Sequence, residues 1–196
     1  MNIFRLYDCP VKSAQNQCDE HIQKMYIESA QMLSTAHRLL DGKMVYIPVF
    51  DKNDKQVFLK NGQPRMKKYW RLEGPLEFVL YKAVHMGHPS TVWTMESEDN
   101  YLWHYEHFVA LLDEYTYRRG KVNKTDVQLR YPLSIVPRNI PKVGETPFKL
   151  AMQSNPECMF PDDPVKSYRL FYQTKQDRFA MNWTKRDVPE WFSKVA

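Results

Sequence analysis

A single unbroken helical period, running from Cys18 to Gly42, constrains this chain more than any other feature. At about 100° per residue, Ile22, Met25, Tyr26, Ser29, Met32, Leu33, Ala36, Leu39 and Leu40 fall on one face, with Lys24, Gln31 and Arg38 on the other. Asp19 stands where an N-cap side chain accepts a backbone N–H, and Gly42 stands where a left-handed residue closes a helix. His21 and Glu28 share the seam between the two faces, so the Glu28 carboxylate is partly desolvated. Two readings of it stay open: a group with a chemical task, and an ordinary charged residue at a helix boundary. Cys18, at the helix start and three residues from His21, is either a nucleophile activated by its position or a buried structural thiol.

A second long period runs through Tyr101, Leu102, Tyr105, Phe108, Val109, Leu112 and Tyr115, with Ser97 as its cap. It stops at Arg118, Arg119 and Gly120, where cations meet the helix dipole and glycine ends the run. Pro89 followed by Ser90 and Thr91 reads as another helix entry, with Trp93 anchored in the core. Between the long helices, residues 44–50 and 56–59 flank a turn at 51–54 and predict a hairpin. Arg65, Lys67, Lys68, Tyr69, Trp70 and Arg71 follow as a basic run interleaved with rings, inside an insertion spanning 44–72. Residues 76–82 fit either a strand or a helical turn. Residues 124–131 predict a short helix stopped by Pro132, and residues 132–164 a Pro-rich ordered loop wrapping the core, with one helical piece at 146–153. Asp163 and Pro164 open the last main helix as cap and first residue. The predicted fold is mainly α: one compact helical domain over residues 1–196 on two long helices, about 19–41 and 97–119, with an inserted β-hairpin at about 44–60 and a loop-rich C-terminal half ending in an aromatic and basic helix.

With 43% hydrophobic and 14% aromatic residues, a chain of 196 residues is long enough to bury a core and too apolar to be disordered. No run approaches the roughly 18 apolar residues of a membrane span. The absence of a basic-then-apolar leader and the odd set Cys9, Cys18 and Cys158 predict a cytoplasmic protein in a reducing compartment. His104 and His107 lie three apart on the second long helix, but Glu106 points elsewhere and no second ligand pair follows, so they read as surface histidines. His85 and His88 repeat that spacing on a loop. Neither a metal nor another cofactor is expected.

The net charge of +5 is unevenly spread. Residues 42–82 carry nine Lys/Arg against four Asp/Glu, and residues 120–196 carry thirteen against eight. Residues 19–41 and 83–119 are net acidic. Two basic segments around an acidic helical centre are the footprint of a phosphate-rich partner or of a merely solvated surface.

Several stretches taken together resemble the pyrimidine-dimer DNA glycosylases, the group that includes the bacteriophage endonuclease V, and more closely its uncharacterised phage relatives. Asp19-Glu20-His21 and Tyr26-Ile27-Glu28 resemble the family's early helix motif, and Asp41-Gly42-Lys43 its closing turn. Gly87-His88-Pro89 and Arg119-Gly120 are similar to the two ends of its second helical segment. Residues 168–175 resemble its C-terminal element rich in Tyr, Arg and Lys. The resemblance covers about half the chain in pieces and has no counterpart for the hairpin or the wrapping loop.

The resemblance implies an all-α DNA glycosylase, with or without lyase activity, acting on damaged or modified pyrimidines in double-stranded DNA. Its partner is that duplex or a nucleotide. Glu28 is then the catalytic carboxylate and His21 a positioning group. The family's nucleophile is an N-terminal α-amine, a group with a pKa near about 8. Here that role falls to Met1, or to Asn2 once Met1 is removed. The implied DNA contacts are Lys24, Gln31, His88, Arg119, Tyr168, Arg169, Tyr172, Lys175, Arg178, Trp183, Lys185 and Arg186. The arginines of the phage enzyme's clamp are replaced by Ile3, Ile27 and Gln31, so either Arg5, Lys12 and Lys24 take over those roles or the chemistry differs. Two other readings are a phage-type enzyme modifying a base or nucleotide in a related pocket, and a non-catalytic domain binding nucleic acid or protein.

Overall fold

In order along the chain, helices α1 (Pro10–Gln15) and α2 (Asp19–Asp41) lead into strands β1 (Lys43–Pro48) and β2 (Met66–Arg71). Helices α3 (Leu76–Val79), α4 (Pro89–Glu96), α5 (Glu98–Arg119), α6 (Lys124–Ser134) and α7 (Pro164–Gln173) follow, with short 3-10 turns at Pro156–Cys158 and Thr174–Asp177. This is the arrangement in a computed structural model, which describes residues 2–193. The protein is mainly α, with an inserted two-stranded antiparallel hairpin. Helix α2 packs against α4, α5 and α6, and α1 lies on α5. The apolar stripe of α2, through Ile22, Met25, Met32, Leu33 and Ala36, is buried together with Trp93 of α4 and Tyr101, Phe108, Leu111 and Leu112 of α5. Each large side chain so buried contributes about 1.5–3 kcal/mol of transfer free energy.

The ends of α5 are as expected: Ser97 accepts a hydrogen bond from the Asn100 N–H at 3.1 Å, and Gly120 is left-handed at φ 69°. The ends of α2 differ. Cys18 is its N-cap, and the Asp19 carboxylate turns instead to Arg118 and Thr184. Gly42 is extended rather than left-handed; it is needed because a Cβ there would stand 2.3 Å from the Arg38 carbonyl oxygen.

Arg38 departs furthest from its expected place on the polar face, for it is 1% exposed. Its guanidinium donates to the carbonyls of Trp70, Glu77, Leu80 and Tyr81, to the Tyr69 hydroxyl and to Glu77 Oε2. That one side chain pins the base of the hairpin to α2. It also explains the strand pairing. Residues 43–48 pair with 66–71 rather than with the nearer 56–59, so the basic aromatic run is itself the second strand. Residues 49–65 project beyond it, held by the isolated bridges Phe50–Gln56 and Phe58–Pro64.

Three further expectations are corrected. Helix α6 runs through Pro132 to Ser134, because a proline in the last turn forfeits only its own N–H bond. Residues 146–153 are not helical: the Thr146 N–H binds Asn100, its carbonyl accepts from the Trp93 indole, and the Ala151 N–H binds the Tyr168 hydroxyl. With those backbone groups taken by distant side chains, the segment lies extended across the core and buries Phe148 and Met152. His104 and His107 are core residues, not surface ones, paired with Thr94 Oγ1 at 2.8 Å and Gln17 Nε2 at 3.1 Å.

Candidate functional site

The seam of α2 that carries Glu28 opens on a cleft of about 270 Å³. Three stretches remote in sequence build most of it, and Ala151 adds a fourth. The N-terminal arm contributes Asn2 and Phe4, α2 contributes His21, Lys24 and Glu28, and the end of α7 with the turn after it contributes Phe171, Lys175, Arg178 and Phe179. The arm is tied down along its length. Asn2 donates to the Ala151 carbonyl and accepts from the Tyr168 hydroxyl at 2.8 Å, and Arg169 donates to the Leu6 carbonyl at 2.9 Å. Phe4 packs its ring 4.6 Å from that of His21.

The Glu28 side chain is 12% exposed and meets Lys24 Nζ at 3.2 Å. His21 is oriented from behind. The Tyr172 hydroxyl accepts the Cys18 N–H at 2.8 Å and pairs with His21 Nδ1 at 2.6 Å. Burial, reinforced by the charges of Lys175 and Lys24, lowers the His21 pKa to about 3, so the ring is neutral at physiological pH. Burial also raises the Cys18 thiol, which with its Sγ 3.5 Å from the same Nδ1 is a structural group and not an activated nucleophile.

Lys175 is 7% exposed, and its Nζ rests 3.4 Å from the centre of the Phe171 ring. Burial first, then the neighbouring Arg178, lowers its pKa to about 8, with Cys158 acting in the opposite sense.

The cleft thus unites Glu28, His21, Asn2, Lys24, Lys175 and Arg178 from among the expected site residues. Met1 lies outside the described residues. Others are placed elsewhere. Tyr168 and Tyr172 are fully buried and act as core props, because their hydroxyls are consumed by Asn2, Ala151, Cys18 and His21. Trp183 is buried with its indole N–H on the Asn16 carbonyl, and Arg169 is sandwiched by the rings of Tyr7 and Trp191. Arg186 makes a two-pronged pair with Glu114, and Lys185 donates to the Tyr117 carbonyl. His88 caps α4 by accepting the Ser90 N–H, while Gln31 and Arg119 do not line the cleft. Arg5, offered as a substitute clamp, is buried against Trp103 and Phe148 and paired with Glu145 at 2.7 Å, and Lys12 is exposed on α1 away from the cleft.

The inward place of Lys175 had no signal in the chain pattern, since the 3-10 turn of residues 174–177 has no amphipathic period to read. A larger groove of about 420 Å³ on α5 is lined by Glu106, Asp113 and Glu114 against Arg186 alone, which disfavours an anionic ligand. Among the described residues no group of three or more His, Cys, Asp or Glu is placed to hold a metal, and no helix is long and apolar enough to cross a membrane. No family model matches the chain, and no curated protein or solved structure is significantly similar to it.

Proposed function

We propose that the chain is a DNA N-glycosylase acting on damaged or modified pyrimidines, with Glu28 assisting cleavage of the N-glycosyl bond. The observation that carries the reading is the meeting of a sheltered carboxylate, Glu28, with the cations Lys24 and Arg178 and the rings of Phe4, Phe171 and Phe179 in one cleft. A nucleotide turned out of a duplex presents three chemistries: a flat base, a sugar that becomes cationic as its bond to the base breaks, and flanking phosphates. The rings suit the first, the carboxylate the second and the cations the third. The cleft volume of about 270 Å³ sits near the lower end of small-molecule pockets, roughly 300–1,000 Å³, which suits one nucleotide. Neutral His21 positions the substrate.

The test is incubation of the purified protein with duplexes carrying different damaged pyrimidines, scoring base release and strand breaks separately. Release from at least one lesion is expected, falling about 100-fold or more in Glu28→Gln. Unchanged release in that variant removes Glu28 from the chemistry. Duplex binding with no release from any lesion leaves a binding domain and sinks the glycosylase reading.

A further inference from the structure

We propose that Lys175 is an amine nucleophile that condenses with the C1′ carbon of an aldehydic deoxyribose held in the cleft of Glu28. The inference rests on the glycosylase reading for its substrate, but its observations are separate. A lysine is ordinarily a solvated surface charge; this one is 7% exposed. Among the described residues no carboxylate or carbonyl takes a hydrogen bond from its ammonium. Its Nζ lies instead against the face of Phe171, whose ring lines the same cleft. Across the cleft stand His21, Lys24 and Glu28 of α2, and beside it stands Arg178. A lysine withdrawn from water and next to a second cation loses part of its preference for the charged form, and the neutral amine is the nucleophile. The pKa of about 8 agrees with that setting.

The step balances without any oxidant or reductant. With the aldehyde of an abasic sugar, the Lys175 nitrogen adds to C1′. The carbonyl oxygen then leaves as water, carrying both amine protons, and a C=N bond remains. With an intact nucleotide the N–C1′ bond forms as the bond to the base breaks. The departing base takes one amine proton, and the ring oxygen takes the other as the sugar opens. Glu28 faces the same space and is the group placed to relay those protons.

Borohydride added to the intact protein with a duplex bearing a single abasic site reduces any C=N bond to a stable secondary amine. Peptide mapping of the wild-type adduct then locates the linkage without relying on a variant. The expected result is linkage at Lys175, and loss of the adduct in Lys175→Arg, a variant checked for unchanged fold by circular dichroism and for retained duplex affinity. Linkage at the N-terminal amine or at Lys24 overturns the assignment. Base release from a lesion with no trapped adduct overturns it too, while leaving the glycosylase reading in place. Trapping at Lys175 without base release from any lesion supports the amine and sinks the glycosylase reading instead. Neither trapping nor release overturns both.

Discussion

The Tyr172 hydroxyl lies 2.6 Å from His21 Nδ1, although 151 residues separate the two in the chain. The same oxygen accepts the Cys18 N–H, so one atom joins the first turn of α2 to α7 and sets the spacing of the two walls of the cleft. Tyr172→Phe leaves the Cys18 N–H unsatisfied in a buried place and His21 Nδ1 with the weak Cys18 thiol contact at 3.5 Å. Urea unfolding is expected to show a loss of about 1–3 kcal/mol. Base release is expected to slow as well, since the imidazole loses the bond that orients it. A variant within about 0.5 kcal/mol of the parent would show that this bond does not hold the two helices together.

Arg38 is expected to be one of the most sensitive positions in the chain. Arg38→Met removes the buried guanidinium that serves the hairpin base, taking the donor from four carbonyls and leaving the Glu77 carboxylate with the Tyr69 hydroxyl and the Leu72 N–H. Breaking one side of such a pair costs about 3–5 kcal/mol. The double variant Arg38→Met with Glu77→Gln is expected to recover part of that loss, and a strictly additive result would contradict the pairing.

Stability is expected to fall on mild acidification. Burial, with the nearby lysines in the case of His21, holds His21, His37 and His107 at pKa values of about 3, about 4 and about 3. Unfolded, each returns to about 6.5. Between those values the unfolded chain binds more protons, so the contribution is present above about pH 6.5 and is lost as pH falls towards 4 and then 3. Each histidine adds a slope of at most about 1.4 kcal/mol per pH unit in that window. Thermal melts at fixed ionic strength from pH 7 to 4 would record it, and a flat profile down to pH 4.5 would contradict the buried neutral rings.

Salt dependence separates cleft cations from structural ones. Lys24→Gln and Arg178→Gln are each expected to reduce the slope of log affinity against log salt for duplex DNA by about 1, with similar weakening across sequences. Arg186→Gln is expected to leave that slope unchanged and to cost stability instead, because its guanidinium is committed to Glu114, a carboxylate only 2% exposed. Fluorescence anisotropy titrations between low and moderate salt distinguish the two patterns. Equal slopes for all three variants and the parent would remove the cleft from the DNA path.

Residue order by itself determined the parts of this protein that rest on near neighbours. The stripe of α2, the Ser97 cap and Gly120 stop of α5, the entry at Pro89 and the Asp163–Pro164 start of α7 all follow from bonds and contacts within about four residues. So did the place of Glu28 and His21 on one seam. What only the tertiary structure decided depends on which remote group arrives. Arg38 became a buried hub because β2 and α3 bring it carbonyls and a carboxylate, and the strand register followed from that anchor and not from the nearest turn. Tyr168 and Tyr172, typical surface readers of nucleic acid by composition, became buried props because the N-terminal arm and the start of α2 claim their hydroxyls. Lys175 entered the cleft because a short 3-10 turn, with no period to reveal it, folds back over Phe171. Local periodicity selects helices at the scale of one turn; desolvation and hydrogen-bond pairing across the whole chain select which of their charges become a site.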